Sequence, residues 1–204
     1  MLVKIQKSIN QLKKHYVMTR FTLIIGLLAA LLCSCASTAN LSPEQKEARE
    51  QEKRINAIRD SIAHEVAVQS LDNLDFVLEA GKLIFKRGRS AYVSPSTNFI
   101  SVVNGKATVQ IAVFKSIPGI NGIGGITVEG TPSYVKKSVD KKGNYSLSMS
   151  VSGTGISATV HISLPSGSTY ATAVITPNFH SYNITLQGTV IPASASNVYK
   201  ARPL

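Results

Sequence analysis

The clearest pattern along the chain is strict two-residue alternation in its C-terminal half. Tyr145, Leu147, Met149 and Val151 alternate with four serines, and Ile156, Ala158, Val160, Ile162 and Leu164 alternate with Ser157, Thr159, His161 and Ser163. Successive side chains of a strand point to opposite faces, so each run predicts a strand with one buried face. Weaker alternation marks residues 107–113, 126–128, 169–176 and 182–186. Asn104-Gly105, Lys142-Gly143, Gly153-Thr154-Gly155, Pro165-Ser166-Gly167 and Pro177-Asn178 supply turn chemistry between the runs. A spacing of roughly ten to twelve residues predicts an antiparallel meander of about eight or nine strands, closing as a sandwich or a barrel. The fold class is mainly β, with the β domain at residues 73–204.

Ahead of residue 73 the period is helical. Ser42 is placed as N-cap, Pro43 as first helical residue and Gln45 as capping-box partner, opening a helix over residues 42–72. Its first turns interleave Glu44, Glu47, Glu50 and Glu52 with Lys46, Arg49, Lys53 and Arg54, a solvated ion-paired surface. Ile55, Ile58, Ile62, Val66 and Leu71 then recur on one face, which predicts a helix that projects first and docks second.

The N-terminus adds a targeting signal. A basic stretch ending at Arg20, an apolar run from Phe21 to Leu32 and small residues behind it form a secretory signal over residues 1–34. The run is short of the roughly 20 apolar residues of a membrane-spanning helix. Met18-Thr19-Arg20 makes an adequate start of its own, which leaves residues 1–17 open as a start-site extension. The run ends in Leu32-Cys33-Ser34-Cys35, which resembles a bacterial lipobox: cleavage between Ser34 and Cys35, then lipid on the Cys35 thiol. Two or three acyl chains, at about 0.8 kcal/mol per buried CH₂, attach a protein durably. Residues 35–41 are then a lipidated tether. No thiol remains for a disulfide, thiol catalysis or a zinc–thiolate site.

Charge changes the picture only after this subtraction. The formal net charge is +11, but the five lysines and arginines of residues 1–34, with no acid among them, account for the excess down to +6. Nucleic acid is therefore not expected as a partner. The Gly-rich stretch Asn121-Gly122-Ile-Gly124-Gly125 lacks the Lys-Ser/Thr pair and the following helix of a phosphate loop. It is expected to be a tight approach into the strand at Ile126, and it is also the place to look for a ligand loop. His64, His161 and His180 show no metal-ligand spacing, and no metal or cofactor is expected. No Gly-x-Ser-x-Gly occurs. Acid–base hydrolysis would have to use Glu79, Glu129 and Asp140, without a tryptophan to stack on sugar rings. Lys82, Lys86, Arg87 and Arg89 cluster near the first strand, either as a charged sheet edge or as a contact to headgroup phosphates.

Phe76-Val-Leu-Glu-Ala80, Arg87-Gly-Arg-Ser90, Ser94-Pro-Ser-Thr-Asn-Phe-Ile100, Ala107-Thr-Val-Gln110, the stretch from Asn121 to Gly130 and the closing Gly188-Thr-Val resemble the Bacteroidetes lipoproteins grouped as domain of unknown function 4251. The resemblance covers nearly all of residues 65–200 and implies an exported, lipid-anchored protein, with no functional residues to carry over. With it, Asp60-Ser61-Ile62 is similar to the O-glycosylation acceptor of exported Bacteroidetes proteins, placing Ser61 as a candidate. The stretch after Cys35 lacks the acidic cluster associated there with surface export, so an outer-membrane anchor facing the periplasm is expected. The leading expectation is a non-catalytic, lipid-anchored envelope protein that binds or braces an unknown envelope protein or ligand. A small-ligand carrier with a barrel cavity comes second and a hydrolase third.

Overall fold

The computed structural model describes residues 42–85, 88–112, 125–153, 157–178 and 183–201. Helix α1 (Pro43–Asp72) opens on the expected capping box: the Gln45 amide donates to Ser42 Oγ at 3.3 Å and the Ser42 amide to Gln45 Oε1 at 3.1 Å. A boundary between two compact units falls within α1, after Lys53. From Arg54 onward the helix belongs with the strands.

Nine antiparallel strands follow: β1 (Phe76–Ile84), β2 (Ser90–Tyr92), β3 (Phe99–Val103), β4 (Lys106–Ala112), β5 (Gly125–Val139), β6 (Tyr145–Ser152), β7 (Ser157–Leu164), β8 (Tyr170–Pro177) and β9 (Ile184–Pro192). β3 to β9 pair in sequence, and β1 pairs with both β3 and β9, which closes eight strands into a barrel. Short β2 continues the β3 side of β1, with Lys82 opposite Tyr92. Closure removes the open edges that a sandwich would keep, and decides between the two expected architectures.

Alternation gives the barrel its two faces. On β6 and β7, Leu147, Met149, Val151, Val160, Ile162 and Leu164 point inward and are buried, while Ser148, Thr159 and His161 face out. The inward set joins Phe76, Leu78, Ile100, Val109 and Leu186 in one hydrophobic cluster, so the interior of the described strands is packed side chains. The serine and threonine rows lie on the outside and do not line the interior. Asn104 (φ 50°) and Gly105 (φ 73°) form the β3–β4 hairpin with both central residues left-handed, as the Asn-Gly pair predicts.

Two expectations need correction. The helix docks by its last turns only: Ala67, Ser70 and Leu71 are buried, so that of the residues assigned to the docking face Leu71 alone docks, while Ile55, Ile58, Ile62 and Val66 are exposed. Asp72 fixes this end by accepting from Tyr145 Oη (3.2 Å) and pairing with Lys137. β5 extends far beyond the expected 126–128, because a bulge between Ser133 and Lys136 absorbs the break that Pro132 imposes on pairing with β6. The tail after β9 contributes no strand to the sheet. It makes a 3₁₀ turn at Ala193–Ala195 and crosses the outer face of the sheet.

Candidate binding groove

The site is built on the outward rows of β1, β3, β4 and β5. Register aligns Val77, Ser101, Thr108 and Glu129 in one row, and Glu79, Phe99, Gln110 and Thr127 in the next. Outward residues of a barrel are ordinarily wet, yet Val77, Phe99, Ser101, Thr108, Gln110 and Thr127 are all buried. The cause is residues 193–201, which lie across them as a strap.

Gln110 clips the strap down. Its Nε2 donates to the carbonyls of Tyr199 (2.7 Å) and Thr97 (3.1 Å), and its Oε1 accepts from the Ala201 amide (2.8 Å) and Thr127 Oγ1 (3.3 Å). Two donors and two acceptor sites are thereby all used, the condition under which a buried carboxamide stabilises its surroundings. Asn98 works similarly at the start of β3, accepting from the Ala112 amide and donating to Ser94 O and Thr97 Oγ1. Ser196 Oγ donates to Glu79 Oε1 at 2.6 Å and the Tyr199 amide to Ser96 O at 2.8 Å. Glu129 sits between Lys200, with which it forms a close ion pair, and Lys106 at 3.6 Å. The hydrogen bond from Lys200 holds the Glu129 carboxyl below its ordinary value; partial burial opposes this, and the charges of Lys200 and Lys106 add to it.

Between strap and sheet, beside the β3–β4 hairpin, lies an open groove of about 530 Å³. Val77 and Phe99 form its floor, Val103 and Val198 flank it, and Lys106 and Lys200 stand at its rim. This size falls within the range of small-molecule sites.

The residues singled out from the sequence are dispersed. Ser34, Cys35, Asn121, Gly122, Gly124, Lys86, Arg87 and His180 lie outside the described residues. Gly125 opens β5 opposite Ala112, where a Cβ would stand 1.7 Å from the Ile111 carbonyl oxygen; close backbone approach is what requires glycine there. Ser61 is exposed on α1. The Lys82 Nζ lies 6.0 Å from the centre of the Tyr92 ring, and Arg89 is exposed. His64 Nδ1 donates to the Ser168 carbonyl at 2.8 Å, and His161 shares a hydrogen bond with Ser148 at 2.7 Å. Among the described residues no group of three His, Cys, Asp or Glu side chains gathers as a metal site.

The three carboxylates do not converge. Glu79 on β1 and Glu129 on β5 are three strand spacings apart, roughly 14 Å, beyond the separation of either class of glycosidase pair. Asp140 caps the β5–β6 turn, accepting from the amides of Lys142 and Asn144 and from Asn144 Nδ2. Those hydrogen bonds, the Asn144 side chain first, hold its carboxyl below the ordinary range.

The model of the family described as domain of unknown function (DUF4251) matches residues 59–190. The chain is also similar to the crystal structure of a DUF4251 family protein from Bacteroides eggerthii DSM 20697, at 44% identity and a TM-score of 0.61, over 69% of this chain and 95% of that one. No curated protein matches.

Proposed function

This chain belongs to the DUF4251 family, a domain of unknown function, and on that premise we propose that it is a lipid-anchored envelope protein whose barrel acts without catalysis, binding or bracing another component. The observation that carries this reading is the use made of its polar groups beside the groove. Gln110, Glu79 and Glu129 are each engaged in holding the strap, and among the described residues no second carboxylate or histidine joins them at reacting distance. What the outer face offers is shape: an apolar floor, two lysines at the rim and a cover fixed by hydrogen bonds. A site of that kind is suited to recognition.

Attachment rests on the sequence Leu32-Cys33-Ser34-Cys35, with the membrane reached through lipid on Cys35 and the domain facing the periplasm from the outer membrane. The ligand-carrier alternative moves with the structure: the barrel interior is a packed cluster, so a carried molecule would occupy the strap groove. Envelope fractionation separates these ideas. Wild-type protein is expected in the outer-membrane fraction after salt and carbonate washes, and the Cys35→Ala variant is expected to be missing from it. A wild-type chain found wholly in the soluble fraction would end the anchored reading. A chain carrying Glu79→Gln, Glu129→Gln and Asp140→Asn that lost a measured turnover while keeping its fold would end the non-catalytic one.

A further inference from the structure

Ile55, Ile58, Ile62 and Val66 remain 56, 61, 57 and 39% exposed. At 100° per residue this stripe lies roughly 150° round α1 from Ala67 and Leu71, the residues docked on the barrel. The helix thus has two apolar faces, one used by its own fold and one left uncovered among the described residues. A contiguous exposed apolar strip marks a contact surface.

We propose that the occupant is a second copy of this chain, its α1 paired antiparallel with the first about a two-fold axis that crosses the stripe at the level of Asp60. The spacing is self-complementary under that symmetry, as an isologous interface requires. Ile55 comes opposite Val66 of the second copy, Ile58 opposite Ile62, and both contacts recur across the axis. The charges agree. Arg54 and Glu65 border the stripe on the same side, have no ion-pair partner among the described residues, and face each other across the axis in two symmetric pairs. Parallel pairing would instead set Arg54 against Arg59 of the other copy, five residues on, the position where like charges repel in parallel coils. Arg59 borders the other side, near the axis, and its Nη1 donates to Asn56 Oδ1 at 3.3 Å, which leans the guanidinium away from the stripe. A lipid surface fits less well, because α1 carries seven acidic against five basic side chains and interfacial helices favour lysine and arginine.

The four side chains offer on the order of 400 Å² per copy, about half of what each partner gives a standard interface. The pairing is therefore reversible. It stands apart from the anchor and the groove, since neither contributes a residue.

The test uses the purified full-length chain in detergent. Copies carrying Ile58→Cys and copies carrying Ile62→Cys, differently tagged and mixed, are expected to form the mixed disulfide on mild oxidation. Ile55→Cys copies are expected not to cross-link with themselves, and the chain without introduced cysteines sets the background. Ile58→Glu is expected to weaken dimerisation at least tenfold in sedimentation. Arg54→Glu is expected to lower the dimer fraction and Glu65→Arg in the same chain to restore it. A monomer at all concentrations, 55–55 cross-links matching the 58–62 yield, or a stripe whose replacement abolishes vesicle binding without changing the mass in solution would overturn the proposal.

Discussion

A single carboxamide decides how the outer face of this barrel is used. Gln110 lies in a run, Ala107 to Val113, whose pattern predicts a strand, and alternation correctly turns its side chain away from the core. Nothing local says that the outward position is buried, because the cover comes from Tyr199 and Ala201, some ninety residues on. Gln110→Leu should keep the barrel and lose the clip. Leaving the Tyr199 carbonyl and the Ala201 amide without a partner is expected to cost about 1–3 kcal/mol in urea unfolding. An unchanged midpoint would show that water replaces Gln110 without loss.

Glu129 adds a pH dependence whose sign follows from its depressed carboxyl. A group held below its ordinary value of 4.5 contributes stability that is present above that value and is lost as the pH falls through the folded-state value. Exchange of the Tyr199 and Ala201 amides, corrected for the intrinsic rate, is therefore expected to quicken on acidification below the ordinary carboxylate range. In Glu129→Gln that acid step should be absent. Equal acid sensitivity in both proteins would assign the effect to another group.

At the scale of elements, the sequence speaks clearly where a pattern is local. The β6 and β7 alternation and the Asn104-Gly105 hairpin depend on neighbours only, and both stand as expected. The length of β5 is hidden by Gly130-Thr131-Pro132, which reads as a break until β6 is seen to pair on both sides of a bulge. Helix α1 misled for a different reason. Periodicity locates an apolar face but not its partner, and the larger Ile55, Ile58 and Ile62 outweigh the smaller Ala67 that in fact docks. Barrel closure was legible only as one of two options, since the β1–β9 pairing spans the whole domain.

Closure depends on Gly188, which pairs with Ala80 on β1 and Ala171 on β8. A Cβ there would stand 1.9 Å from the Glu79 carbonyl oxygen, a backbone atom that cannot turn aside. Gly188→Val should accordingly destabilise by about 3 kcal/mol or more, at the upper end of overpacking. The loss should appear first as amide exchange along the β1–β9 seam. A variant of near wild-type stability would mean that the bulge between Ala80 and Lys82 can shift to admit a side chain.

At the scale of the molecule, the structure gives a closed barrel with its described interior packed, a strap over the outer face of β1, β3, β4 and β5, and a helix docked by one end. Its polar groups beside the groove hold that arrangement together, and the proposed function turns on where the protein sits. The candidate site was the least legible part: the groove floor of Val77 and Phe99 comes from strands that the sequence predicts, but its cover and rim come from the tail. The proposed location stands on Leu32-Cys33-Ser34-Cys35 alone. Intact mass of the protein from native membranes, beside Cys35→Ala, tests it most directly. The account predicts a chain that begins at Cys35 and carries two or three acyl chains, with the variant unprocessed. A wild-type mass without acyl groups would contradict it.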